Sequence, residues 1–190
     1  MFVNYLTLML INLVAGLFLA AHYVYWGLDK PDQKPWAPGF AMVGLIALAT
    51  GLHMIWNWPL PSSYNIAYGE LSALFGIIFL GAALALAKGW KLLTVGIYAC
   101  FAGLAAAIVG LRIIVLGMTQ QPLVSGTGMI LAGVGGALFP LARHFKANRS
   151  VRVIVALILV GAAAIFAVTG YLAYWGHLAD FAGWAPGGGS

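Results

Sequence analysis

Six polar side chains in this 190-residue sequence combine chemistry with a spacing that could bring them together. Thr50, His53 and Asn57 recur at helical spacing and would share one helix face, Asn65 lies in the turn that follows, and Glu70 and Arg112 are opposite charges expected at one depth. An ionisable group inside a hydrocarbon layer costs about 2.5 to 3.5 kcal/mol on insertion scales, so each needs a partner or a cavity. The pattern predicts a Glu70–Arg112 ion pair. It also predicts an outward polar pocket built from all six residues and capped by Trp58 and the Pro59-Leu60-Pro61 turn, suited to a small ion, a polar ligand or a lipid headgroup. The plainer alternative is structural: Glu70 and Arg112 lock two helices together, and His53 bonds a backbone carbonyl.

The histidines raise a second chemistry. A b-type haem needs two axial ligands at matching depth on facing helices, and His53 with His177, or His22 with His144, approach that requirement. Against it, His144 and His177 fall at or beyond the ends of their spans. Copper held by His53 with Met54 or Met118 is chemically reasonable, although the spacing matches no metal signature. A third reading, proton-coupled transport through Glu70 and His53, is disfavoured because no proline interrupts the middle of a span; Pro140 lies near one end of the fifth. Tyr171, Tyr174, His177 and Asp180 follow helical spacing without forming a relay. No nucleophile elbow, phosphate-binding loop or zinc-protease helix occurs, so no catalytic residue is assigned and the reading leans away from an enzyme.

The elements that must position these groups follow from composition. The chain is 63% hydrophobic and 7% charged, far from the roughly 25% charged residues of soluble domains. Six mostly apolar stretches, near 2–26, 39–57, 68–87, 92–117, 125–142 and 153–175, are each long enough to cross a hydrocarbon core about 30 Å thick. Period-two alternation is absent, which excludes a barrel. The expected fold is an all-α integral membrane bundle of six transmembrane helices in a single domain over residues 1–186. Residues 187–190 have the composition of a flexible linker, native or added. No Lys or Arg precedes Lys30, so the first span reads as a permanent helix rather than a cleaved signal. Cys100 lies mid-span among small residues and reads as a buried apolar group.

Charge orients the bundle. Lys30 and Lys34, Lys88 and Lys91, then Arg143, Lys146, Arg149 and Arg152 occupy the first, third and fifth connectors, and the remaining connectors and ends carry no basic residue. The positive-inside rule makes those three connectors cytoplasmic and both termini non-cytoplasmic. Trp26, Trp36 and Trp90 fall at the inner boundary and Trp56, Trp58, Trp175 and Trp184 at the outer one, the headgroup level that indole prefers. The basic run from Arg143 to Arg149 suits anionic lipid headgroups, and is too short and juxtamembrane for nucleic acid. Beyond the bilayer, a membrane-protein partner or a second copy of the chain is a further expected partner. The spacing of Gly51, Gly110 and Gly170 suggests three pseudo-repeated helical hairpins, which would make His53, Arg112 and Tyr171 equivalent.

The stretch Gly51-Leu-His53-Met54-Ile-Trp56-Asn57-Trp58-Pro59-Leu60-Pro61-Ser-Ser-Tyr64-Asn65-Ile-Ala-Tyr68-Gly69-Glu70 resembles the signature region of a family of uncharacterised prokaryotic membrane proteins of this length. The resemblance implies six helices and a prokaryotic cytoplasmic (inner) membrane, and it implies no reaction. The resulting expectation is a multi-pass protein without covalent chemistry of its own, an accessory subunit or a small-ligand binder.

Overall fold

The structure, a computed structural model, describes residues 5–184; the tail at 187–190 lies outside them. Helix α1 (Leu6–His22) runs on through a π-helical turn, Tyr23–Gly27, and a short 3-10 turn, Lys34–Trp36, leads into α2 (Ala37–Asn57). A second π-helical turn, Asn65–Glu70, opens α3 (Leu71–Lys88), and α4 (Leu93–Leu116), α5 (Pro122–His144) and α6 (Arg149–Asp180) follow. With their flanking turns, the 6 helices are each long and apolar enough to cross a membrane, and no strand occurs among the described residues.

Local chemistry sets the helix ends. Gly89 (φ 71°) and Gly117 (φ 61°) are left-handed and terminate α3 and α4. In each case the next amide reaches back, Trp90 N to Ala85 O at 2.7 Å and Met118 N to Ile113 O at 3.2 Å, which satisfies carbonyls the helix would leave unpaired. Asn148 caps α6, its Oδ1 accepting from Ser150 N and Val151 N. Helix α6 is longer than expected: its 32 residues reach about 48 Å at 1.5 Å per residue. Arg149 and Arg152 therefore sit in its first turn rather than in a connector, and His177 and Asp180 in its last.

Successive helices run antiparallel and α6 returns to pack on α1, closing a ring. The ring has one end that carries Lys30, Lys34, Lys88, Lys91, Arg143, Lys146, Arg149 and Arg152, called here the basic end; the N-terminal end is opposite. Glycine decides the tightest contacts. A Cβ on Gly44 would come within 2.7 Å of Leu80 N on α3, and one on Gly51 would overlap the backbone at Ala73. Gly103 and Gly133 face each other so closely between α4 and α5 that neither tolerates a side chain, and a Cβ on Gly110 would lie 2.7 Å from Gly126 O. Small residues permit this backbone approach, and dispersion and weak C–H contacts reward it.

The glycines of the suggested repeat occupy corresponding contacts. Gly51 meets α3, Gly110 meets α5 and Gly170 meets α1, each on the next helix around the ring. The close partners are thus α2 with α3, α4 with α5, and α6 with α1. The hairpins suggested from the even spans alone, α1–α2, α3–α4 and α5–α6, are the less tightly packed neighbours, and α3–α4 is the loosest of all. Outward faces are apolar: Met42 and Phe101 are each 70% exposed, a surface that would be costly in water.

Candidate functional site

The predicted outward pocket does not assemble as one site. Thr50 Oγ1 donates to Ile46 O at 2.8 Å and Asn57 Nδ2 donates to His53 O at 3.0 Å, so both are satisfied by their own helix. His53 Nδ1 pairs with the Tyr5 hydroxyl at 2.8 Å, joining α2 to the start of α1. Asn65 is wholly buried: its Oδ1 accepts from Leu60 N at 3.0 Å and its Nδ2 donates to Leu60 O. It organises the 58–64 loop instead of facing a ligand.

The Glu70–Arg112 ion pair is a correction. Both side chains are exposed and they form no ion pair; the ion pair among the described residues joins Arg152 and Asp29 at 2.8 Å. Glu70 opens α3 and Arg112 lies on the outward face of α4, so the two flank the loosest seam of the ring rather than a packed contact. Each can extend toward the polar end of its helix, which removes the need for a partner.

The histidine pairs are not brought face to face. Helix α1 stands between α2 and α6, and α6 between α1 and α5. His53 is engaged by Tyr5, His22 packs on Trp36, His144 on Phe145 and His177 on Phe181. None of the four lines the interior cavity, and no cluster of three or more His, Cys, Asp or Glu that could hold a metal occurs among the described residues. Met54 is buried against Met9 and Leu60, turned away from the exposed His53.

What the ring does build is a cavity of about 190 Å³ along its axis, lined by side chains from all six helices. It runs from Met9 and Tyr68 near the N-terminal end to Tyr23, Leu86 and Leu92 near the basic end. Phe40, Phe75, Phe79, Phe139 and Phe166 form much of the wall, with Phe75 and Phe79 packed at a centroid distance of 4.2 Å. No lining residue is charged; the polar ones are Asn12, Tyr23, Tyr68 and Ser72.

Two of these fix the helices around the cavity. Asn12 Nδ2 donates to Val43 O at 3.0 Å and Ser72 Oγ donates to Ala47 O at 2.9 Å, so α1 and α3 are both tied to α2 at carbonyls one turn apart. At the basic end the Tyr23 hydroxyl donates to Gln33 Oε1 at 2.7 Å, and Gln33 in turn holds Leu28 O and Lys30 O. Arg149 Nη2 donates to the Tyr25 hydroxyl at 3.1 Å, pinning α6 to α1 beside the Arg152–Asp29 pair.

The cavity has a neighbour on the outside of the ring. Leu74 and Ala102 line both it and a groove on the outward face of α3 and α4, whose other walls are Thr94, Ile97, Tyr98 and Phe101. Sequence reasoning passed over Asn12, Tyr68 and Ser72. The available signal was an amide or hydroxyl placed inside an otherwise apolar run, which costs free energy unless it is bonded.

Fold and site together define a six-helix ring of membrane-spanning length enclosing an apolar cavity. The chain belongs to the family described as Protein of unknown function (DUF981), whose model matches residues 1–180, in agreement with the resemblance to an uncharacterised family. No match was found among curated proteins or among solved structures.

Proposed function

We propose that this protein spans a prokaryotic cytoplasmic membrane and binds an apolar, chain-like molecule in its axial cavity, taking it from the bilayer through the seam between α3 and α4. The observation that carries the proposal is the cavity itself: about 190 Å³, walled by aromatic and aliphatic side chains and free of charged lining. Apolar cavities of about this size accept apolar guests. A guest that fills this one adds packing contacts that the unfilled lining lacks, and so stabilises the fold.

The access route follows from packing. Glycines close the α2–α3 and α4–α5 contacts to backbone distance, and the α3–α4 seam has no such contact: a Cβ on Gly81 would come no nearer than 3.7 Å to Val95. Leu74 and Ala102 are the side chains that separate the cavity from the outward groove. Orientation rests on the charge asymmetry and the exposed tryptophans at both ends, with the basic end cytoplasmic. Lys146 and Arg149 are exposed there and suit anionic headgroups. Binding thus moves from the outward polar residues, each engaged locally or exposed, to the interior.

A thermal-shift series in detergent tests this reading. A medium-chain alkane should raise the melting temperature of the wild type, and Ala132→Phe, which places a ring in the cavity wall, should raise it without alkane and abolish the alkane response. An equal alkane response in both proteins would overturn the assignment.

A further inference from the structure

Resting on the cavity reading, we propose that the natural ligand is a neutral amphiphile, an apolar chain bearing one uncharged hydrogen-bonding group, whose polar end sits at Tyr68, toward the end of the cavity remote from the basic end. The polar groups of the lining divide into spent and unspent. Tyr23 is committed to Gln33 and Ser72 to Ala47 O. Tyr68 lines the cavity, yet its hydroxyl has no hydrogen-bond partner among the described residues, whereas its stacking neighbour Tyr64 donates to Met118 O. Asn12 uses its Nδ2 on Val43 O and leaves Oδ1, a pure acceptor, without a partner among the described residues. Both oxygens are unbonded in an otherwise apolar lining, so a ligand group that bonds either one gains a hydrogen bond that a bare chain cannot make.

The same lining sets the class of that group. With no charged residue in the wall, a phosphate, carboxylate or ammonium would be desolvated without a counter-charge, which is strongly unfavourable. A hydroxyl or carbonyl carries no such cost. Tyr68 Oη can donate or accept and Asn12 Oδ1 accepts, so an alcohol can be met by either side chain. Tyr68 lies one turn before Ser72 on the chain, and Ser72 contacts α2 one turn nearer the N-terminal end than Asn12 does, so the Tyr68 position falls toward the end remote from the basic end and Asn12 lies about two turns deeper.

The test uses the full chain in nanodiscs with three photoreactive probes of one chain length, each with a mid-chain diazirine and ending in methyl, hydroxyl or carboxylate. Labelling of cavity-lining peptides is compared between wild type, Tyr68→Phe, Asn12→Leu and the control Tyr64→Phe. Comparing each probe across proteins removes the effect of its partition into lipid. The expected result is that Tyr68→Phe lowers alcohol labelling roughly three- to tenfold, the worth of one net hydrogen bond, leaves the methyl probe unchanged, and that the carboxylate fails to label. Tyr64→Phe should leave the selectivity intact. Asn12→Leu also loses the bond to Val43 O, so Tyr68→Phe, which removes only an unbonded hydroxyl, carries the test should that variant misfold. Alcohol and methyl probes responding identically in wild type and Tyr68→Phe would overturn the polar-end assignment and leave the cavity reading standing. Failure of all three probes to label the cavity would overturn both.

Discussion

At the scale of single residues, polar groups in this protein are mostly consumed by structure. Asn65 illustrates how: both ends of its amide close on Leu60, in a loop whose Trp58 and Ser62 adopt positive φ. Asn65→Leu would strand the buried Leu60 amide, and with an unsatisfied buried group costing about 1 to 3 kcal/mol a fall of several degrees in melting temperature is expected. Glu70→Gln and Arg112→Met remove exposed groups that share no ion pair, so each should shift stability by less than about 0.5 kcal/mol and the two should add. The opposite holds for Arg152, 12% exposed, and Asp29, 40% exposed. Asp29→Asn leaves a mostly buried guanidinium without its counter-charge. It should melt below the double variant Asp29→Asn with Arg152→Met, although the exposure of Asp29 limits the difference to about 1 to 2 kcal/mol. Equal melting of those two proteins would show that the pair does not matter to the fold.

At the scale of helices, glycine spacing determines which neighbours approach and which remain apart. Gly51→Ala and Gly103→Ala each force a methyl into a facing backbone, and should lose more than about 2 kcal/mol as overpacked sites do. Gly81→Ala and Gly176→Ala meet nothing closer than 3.7 Å and should be neutral or slightly stabilising, because alanine is the better helix former. A ranking of the four variants by thermal melting checks this directly. The six spans were legible in the sequence, since apolar length and charge alternation act locally along the chain. The pairing of helices was not. It depends on which glycine meets which backbone across the ring, and the run Gly51, Gly110, Gly170 disclosed a regularity without disclosing that each glycine faces the next helix around.

The local engagement of the outward polar residues was hidden for a related reason. Helical spacing placed Thr50, His53 and Asn57 on one face, but it could not show that this face is turned away from the ring interior or that each side chain would bond nearby. Equal depth of Glu70 and Arg112 likewise said nothing about their separation around the ring. The cavity escaped notice because its walls are Phe, Leu and Ala, residue types that carry no signal apart from their assembly. Asn12, by contrast, stands in the sequence as an amide in the middle of an apolar run, Leu6 to Ala21.

At the scale of the whole molecule, the charge distribution and the cavity have distinct consequences. With Cys100 replaced by Ala, a cysteine at Gln121 should react with an impermeant thiol reagent on intact cells, and one at Ala147 only after the membrane is opened. The reverse pattern would invert the bundle. The central claim is that the axial cavity, rather than the outer face, holds an apolar chain. Its most direct test is to photolabel the purified protein in nanodiscs with a mid-chain diazirine alkane and map the modified residues by mass spectrometry. Cavity occupation predicts modification of inward residues such as Phe75, Ala106 and Ala132, suppressed when Ala102→Trp blocks the α3–α4 seam. Modification confined to outward residues such as Met42, Phe101 and Leu157, with none in the interior and no change in Ala102→Trp, would contradict it.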